Sequence, residues 1–373
     1  MKISSNLNTK SLTLGDLSNT RNNNFDFIRL LLSFCVIITH SYIIIDRSDN
    51  NELFLQLTRD QISIATLAVN YFFVISGFLI CASWINSKST SDYFRKRILR
   101  IYPAFIVVVL FTIFVVGPLG TTDLAGYFSS PNTYKFFIRQ IFFHKDPLLY
   151  GTLNNGGTPS LPLGSVATLR YEVAAYIMVA VMGMLGLFRN RYIHIVLLVV
   201  AIVVYNTLPN HVFLKLPFFG SLGGYMTRLA TYFLSGLCFY MYRDLIPHNR
   251  PLFFGALALL VGACIMGQGL HWILPICATY LLFYFAYSRT INVHNFAKYG
   301  DFSYGVFLYG YPVQQLLWYY FPNVKQPMLQ AIVAMIISCG FAALSWHFVE
   351  KPFLRLKSKR NSPTVVATAV SSA

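Results

Sequence analysis

Apolar stretches long enough to cross a bilayer recur along the chain, divided by short polar segments. About 20 apolar residues span the hydrocarbon core. By that ruler helices are predicted at 25–46, 62–86, 102–120, 169–188, 193–208, 225–242, 251–267, 270–288, 303–320 and 328–350. A shorter run, YKFFIRQIFF at 134–143, carries Lys135 and Arg139 and reads as an amphipathic helix at the membrane interface. The pattern predicts an all-α fold: a polytopic membrane helix bundle of about ten transmembrane helices over residues 25–355. The flanks 1–24 and 356–373 read as polar, flexible tails. The first of these holds six Asn and four Ser, with no apolar core and no small-residue cleavage site. The first apolar run is therefore expected to insert as a signal anchor.

Charge sets the orientation. Lys and Arg number 29 against 13 Asp and Glu, a net charge of +16, yet only 11% of residues are charged. Ordinary soluble proteins carry about 25%. A soluble enzyme, a coiled coil and a disordered chain are excluded. The basic excess accompanies uncharged apolar runs, so it reads as membrane orientation, and no nucleic-acid partner is expected. With the N-terminus in the cytoplasm, 19 basic residues fall on inside segments and 7 on outside ones. That bias predicts an even helix number with both termini cytoplasmic. The longest outside segment is then 121–168, which includes the turn-rich GTLNNGGTPSLPLGS at 151–165 with Asn154 and Asn155. The six cysteines sit in apolar runs without CxxC spacing, and no cluster has metal-ligand spacing, so neither disulfides nor a metal are expected.

Ionisable groups inside membrane helices are costly and mark functional positions. In the first helix Arg29 and His40 stand 11 positions apart. That spacing puts them within about 20° of one face and about 16 Å apart along the axis. A cation at the cytoplasmic entrance below a titratable group suits an anionic ligand with a reactive tip. A snorkelling Arg and a hydrogen-bonded core His are the plainer alternative. Ser76 and Gly77 in the second helix allow close approach of a ligand, or of another helix. Arg97 and Arg100 share a helical face and match a phosphate, while Arg95 and Lys96 read as positive-inside anchors. Glu172 is expected near the outer boundary, facing the bundle or an aqueous cavity, where it would orient His40 or a hydroxyl, or pair with Arg170 or Arg228. Glu350, before Lys351 and Pro352, reads as a helix terminus at the cytoplasmic surface.

Taken in order, these pieces resemble the membrane-bound acyltransferase-3 family. They are Asp26, Arg29 and His40 as D-x-x-R-x10-H, FFVISGFLI (72–80), RILRIYP (97–103), TLRYEVAAY (168–176), SYGVFLYGYPV (303–313) and HFVEKPF (347–353). The resemblance covers about residues 25 to 355 and implies the stand-alone O-acetyltransferase type. Two positions depart from it: Ala167 stands where the family often has Trp, and Gly310 stands where an aromatic–His pair often precedes the aromatic and Pro. The resemblance implies transfer of an acyl group, commonly acetyl, from cytoplasmic acyl-CoA to a hydroxyl of a cell-surface or lipid-linked glycan. It further implies a multi-pass protein of the bacterial cytoplasmic (inner) membrane, with Arg29 and His40 essential.

The resulting expectation is specific. Arg29, Arg97 and Arg100 hold the phosphates of acetyl-CoA, the donor co-substrate, and its arm threads past Ser76 and Gly77. His40 is the general base, since imidazole titrates near physiological pH, and Glu172 orients it. An acyl-His intermediate is a second route. The alternative from another class is a proton-coupled secondary transporter, which also uses intramembrane Arg, His and Glu.

Overall fold

The computed structural model describes residues 12–18, 23–143, 149, 151–153, 162–207, 215–216, 220–221, 224–288, 290–291, 293–298 and 300–358. A helix lies at each of the ten predicted positions. They are α1 (Phe25–Ile45), α2 (Ile64–Ile85), α3 (Thr90–Phe111), α4 (Leu169–Met184) and α5 (Arg191–Thr207), followed by α6 (Gly224–Met241), α7 (Arg250–Met266), α8 (Leu270–Ala286), α9 (Ser303–Tyr320) and α10 (Pro327–Ser345). Five are long and apolar enough to cross a membrane: Phe25–Ile45, Ile64–Ile85, Thr90–Leu119, Val166–Met184 and Pro327–Leu356. Arg191–Thr207, Arg250–Met266 and Leu270–Ala286 are shorter apolar helices. The non-helical regular structure among the described residues is a two-residue antiparallel pair, Lys215–Leu216 with Gly220–Ser221, and a single bridge from Thr13 to Pro247. The predicted amphipathic segment is a helix, Pro131–Ile141, with Phe136 buried.

Two helix ends differ from expectation. α3 starts at Thr90 rather than 102, because Ser89 caps it and Asp92 pairs with Lys96 at 2.6 Å along its first turns. The cationic segment is thus the inner part of one long helix, which continues through a π-turn (Thr112–Val116) to Leu119. At the other end of the chain α10 does not stop before Pro352. A π-turn, Trp346–Glu350, leads into a further helix, Lys351–Ser358. The wide turn changes the hydrogen-bond register just before Pro352, where a regular ladder would need the amide hydrogen that proline lacks.

α2 is the central helix. It packs most extensively on α6 and also against α1. The α2–α6 contact is made by glycines: a Cβ at Gly77 would overlap the Phe233 carbonyl, and one at Gly236 the Val74 carbonyl. Gly77 is therefore a packing residue, which corrects its expected place beside a ligand. Gly77→Ala is expected to cost about 1–3 kcal/mol, because the obstacle is backbone and the helices must part. A thermal melt of the purified protein checks this, and Ser76→Ala, on the neighbouring face, should leave the melt nearly unchanged.

α9 packs against both α1 and α10, which also touch each other. Ser33 of α1 donates to the Ser303 carbonyl at 2.9 Å. Tyr304 donates to the Ile101 carbonyl of α3 at 3.0 Å, and Tyr93 of α3 donates to the Tyr176 carbonyl of α4 at 3.0 Å. These bonds tie α1, α9, α3 and α4 around a common space. Within the N-terminal flank Leu14–Ser18 is helical, with Leu14 and Leu17 buried and backbone bonds to Arg243 and Ile246.

Candidate active site

α1, α2, α3, α4 and α9 enclose a cavity with an empty volume of about 890 Å³, counting its open mouth. Five of the sequence-predicted residues line it: Arg29, Ser76, Arg97, Arg100 and Glu172. Phe72, Tyr176, Tyr304 and Phe307 supply much of the remaining wall. The three arginines come from two helices and converge because α1 and α3 are both bonded to the start of α9.

The arginines are not equivalent. Arg100 donates to Asp301 at 2.5 Å, stands 3.8 Å from Glu350 and lies over the Tyr304 ring. Arg29 pairs with Asp26 at 3.1 Å and with Asp301 at 3.8 Å. Arg97 donates to Ser83 Oγ at 3.0 Å and lies beside the rings of Tyr93 and Tyr176. Among the described residues no carboxylate lies within ion-pair distance of Arg97. Its Nε is buried without a partner. Arg29 and Arg100 are held by acids, whereas Arg97 keeps an unmatched charge facing the cavity.

Asp301, which is not among the residues singled out from the sequence, organises this cluster. Its carboxylate takes Arg100, Arg29, the Ser303 hydroxyl at 2.5 Å and the Ser303 amide at 3.3 Å. Burial alone would push its carboxyl up. The guanidiniums of Arg100 and Arg29 and the Ser303 bond outweigh that and hold it at about 2. The signal in the sequence was an acid, scarce in this chain, just before SYGVFLYGYPV. Glu350 is likewise corrected: it is 3% exposed, inside the π-turn and facing Arg100, rather than at a helix terminus on the surface.

Glu172 faces a cavity, as its sequence position suggests, but deeper than the outer boundary. It lies in the cavity with the arginines, accepting from the Tyr176 hydroxyl one turn along α4, with Ser76 Oγ 3.5 Å away. Arg170 instead stacks on Tyr171 and Arg228 on Tyr225, with no carboxylate at ion-pair distance of either among the described residues. The shift follows from how the chain enters α4. A 3-10 turn, Gly164–Thr168, precedes it, and a Cβ at Gly164 would stand 2.8 Å from the Tyr311 ring. The chain thus reaches the level of α9's Tyr311 before α4 begins. Asn154 and Asn155 lie outside the described residues.

His40 does not line the cavity. Its ring meets Tyr311 edge-on at 5.0 Å between centroids. The backbone around it is fixed: Gln314 donates to the Ile37 carbonyl and the Ser41 hydroxyl, both at 2.7 Å. Thr39 accepts from the Ala65 amide at 3.1 Å and donates to the buried Glu52 at 2.7 Å. Thr39 is therefore level with Ala65. Val69, the outermost cavity residue on α2, lies one turn deeper, about 6 Å. The cavity ends about one helical turn short of His40, and the α9 stripe Tyr304–Phe307–Tyr311 connects the two.

Among the described residues no group of three His, Cys, Asp or Glu could hold a metal. The fold and cavity define a polytopic helical membrane protein with an arginine-lined chamber inside the bundle. The comparison with family models adds the class of reaction: residues 22–347 match the acyltransferase domain of the acyltransferase-3 family, so the chain belongs to that family. It is 27% identical to an O-acetyl transferase of Shigella phage Sf6 over 369 residues, which cover 92% of this chain and 99% of that one. It is 30% identical to Nodulation protein 10 of Rhizobium leguminosarum bv. viciae over 168 residues, 43% of this chain and 44% of that one. No solved structure matches it.

Proposed function

We propose that the protein is a membrane O-acetyltransferase that takes acetyl from cytoplasmic acetyl-CoA and places it on a hydroxyl of a cell-surface or lipid-linked glycan, across ten spans with both termini inside. The similarity to an O-acetyl transferase along nearly the whole of both chains supports the acetyl group. The observation that carries the mechanism is the chamber: three arginines in its wall, and one helix stripe leading toward His40.

In this reading Arg97 receives the donor's phosphates, and Arg29 and Arg100, fixed by Asp26, Asp301 and Glu350, supply the rest of the positive field. The pantetheine arm lies along Phe72, Ser76 and Phe307, where Glu172 and Ser76 can accept from its amide hydrogens. The thioester reaches the His40 end. There the acceptor hydroxyl attacks the thioester carbonyl, His40 takes the hydroxyl proton, the C–S bond breaks and the proton passes to the leaving thiolate. Tyr311 must make room for this contact, since its ring packs edge-on against His40. Glu172 acts on the donor side and not on His40.

Incubating purified protein with radiolabelled acetyl-CoA tests the reading. CoA release with label on a glycan is expected, and label remaining wholly on CoA in the presence of surface glycans would overturn it. Arg97→Gln removes a charge-assisted bond of about 1.5–3 kcal/mol. The KM for acetyl-CoA should rise roughly 10- to 100-fold, with the acceptor KM unchanged. A change confined to acceptor kinetics would remove Arg97 from the donor site.

A further inference from the structure

A second cavity lies on the opposite face of α2, between the segment 54–62, α7 and α8, with an empty volume of about 1170 Å³ including its open side. Its wall is apolar, with Leu67, Tyr71, Leu260, Cys264 and Leu274 among its members. Arg59 is the one charged side chain on it among the described residues. Neither the donor chamber nor the His40 end uses this space.

Its dimensions match one leaflet of a bilayer. Along α8 the lining runs from Leu270 to Ala278, and along α7 from Ile265 back to Leu257. Eight residues of helix rise about 12 Å. Half of a bilayer core is about 15 Å. Arg59 sits at the end where these helices turn: its Cδ would be 3.1 Å from a Cβ on Gly267, just past the end of α7. The far end is lined by Tyr71, Leu257 and Ala278. A slot one leaflet deep, mostly apolar along its length and cationic at its mouth, complements a lipid whose headgroup is negative.

The helix beside the slot needs support. α7 buries only Ala263, while Leu257, Val261 and Ile265 are exposed. It packs on α8, and the slot separates it from α2.

We propose that this slot seats an acyl chain of an acidic bilayer phospholipid, with Arg59 holding the headgroup phosphate, and that the lipid braces the α7–α8 hairpin against α2. The ligand is a structural lipid of the leaflet at the His40 end, separate from donor and acceptor.

The test is thermal melting of the full-length protein in detergent, titrated with dioleoylphosphatidylglycerol or dioleoylphosphatidylcholine. Phosphatidylglycerol should raise the melting temperature saturably, and phosphatidylcholine should do so at least five-fold more weakly in apparent affinity. Arg59→Gln should weaken the phosphatidylglycerol response at least five-fold, and Arg59→Lys should keep most of it. Leu260→Trp, which fills the slot, should abolish the lipid-dependent rise. Equal responses to the two lipids overturn the proposal, as does an undiminished response in Arg59→Gln. Preferential binding of farnesyl phosphate over phosphatidylglycerol would overturn the phospholipid assignment. Should Arg59→Gln fail to fold, an unchanged lipid response in Leu260→Trp is sufficient to overturn it.

Discussion

His40→Ala is expected to lower acetyl transfer by a factor of 10² to 10⁴ while leaving the protein folded and its affinity for acetyl-CoA unchanged. The size follows from removing a general base. The selectivity follows from the surroundings of His40. Its ring contact is with Tyr311, edge-on, and such a pair contributes about 0.5–1.5 kcal/mol. The bonds that fix α1 at this level belong to Thr39, Ser41 and the Ile37 carbonyl, and the substitution leaves them in place. The chamber that would hold the donor ends about one turn away, so its wall is unchanged. The measurement is steady-state CoA release with an acceptor present, beside a thermal melt and an acetyl-CoA binding isotherm. Normal turnover in this variant would remove His40 from the mechanism. A melt lowered by many degrees would make it a packing residue instead. Tyr311→Phe, which keeps the edge contact, should retain most of the activity.

The positions of the ten helices were legible because each depends on its own local composition, and hydropathy reads that directly. Arg29, Arg97, Arg100, Ser76 and Glu172 were legible as polar groups in expensive places, and the structure gathers them into one chamber. What the sequence hid was pairing between distant elements. Arg100 and Asp301 are 201 positions apart, and nothing local marks the acid as the partner. Gly77 and Ser76 are adjacent and both small, yet one meets the Phe233 carbonyl and the other the chamber. Only the position of α6 separates them. The π-turn that draws Glu350 inward adds a residue to the helical turn, a departure from the 3.6-residue period that the sequence pattern does not mark. Glu172 was misplaced because its depth depends on the segment before α4, which enters beside Tyr311.

The second large effect is expected at Asp301, whose carboxylate is shared by Arg100 and Arg29. Asp301→Asn keeps the shape and removes the charge, leaving two partly buried guanidiniums with one fewer counter-charge. Breaking such a pair from one side costs about 3–5 kcal/mol. Arg100→Gln should cost a similar amount, since Asp301 and Glu350 then face each other without a cation between them. The double variant Asp301→Asn/Arg100→Gln should lose clearly less than the sum of the two, because neither charge is then left alone. A strictly additive result would mean that solvent already screens the pair. The pH dependence has a definite sign. The folded-state carboxyl is held at about 2, below its ordinary value of 3.8, so its contribution is fully present above 3.8. It is lost progressively as pH falls toward 2. Melting curves of wild type and Asp301→Asn should differ by a constant amount at neutral pH and converge between those two values. Acetyl transfer should follow a different rule: the double variant regains stability but not donor affinity, because Arg100 is part of the positive field as well as the partner of Asp301. A double variant with wild-type KM for acetyl-CoA would confine the whole cluster to a structural role.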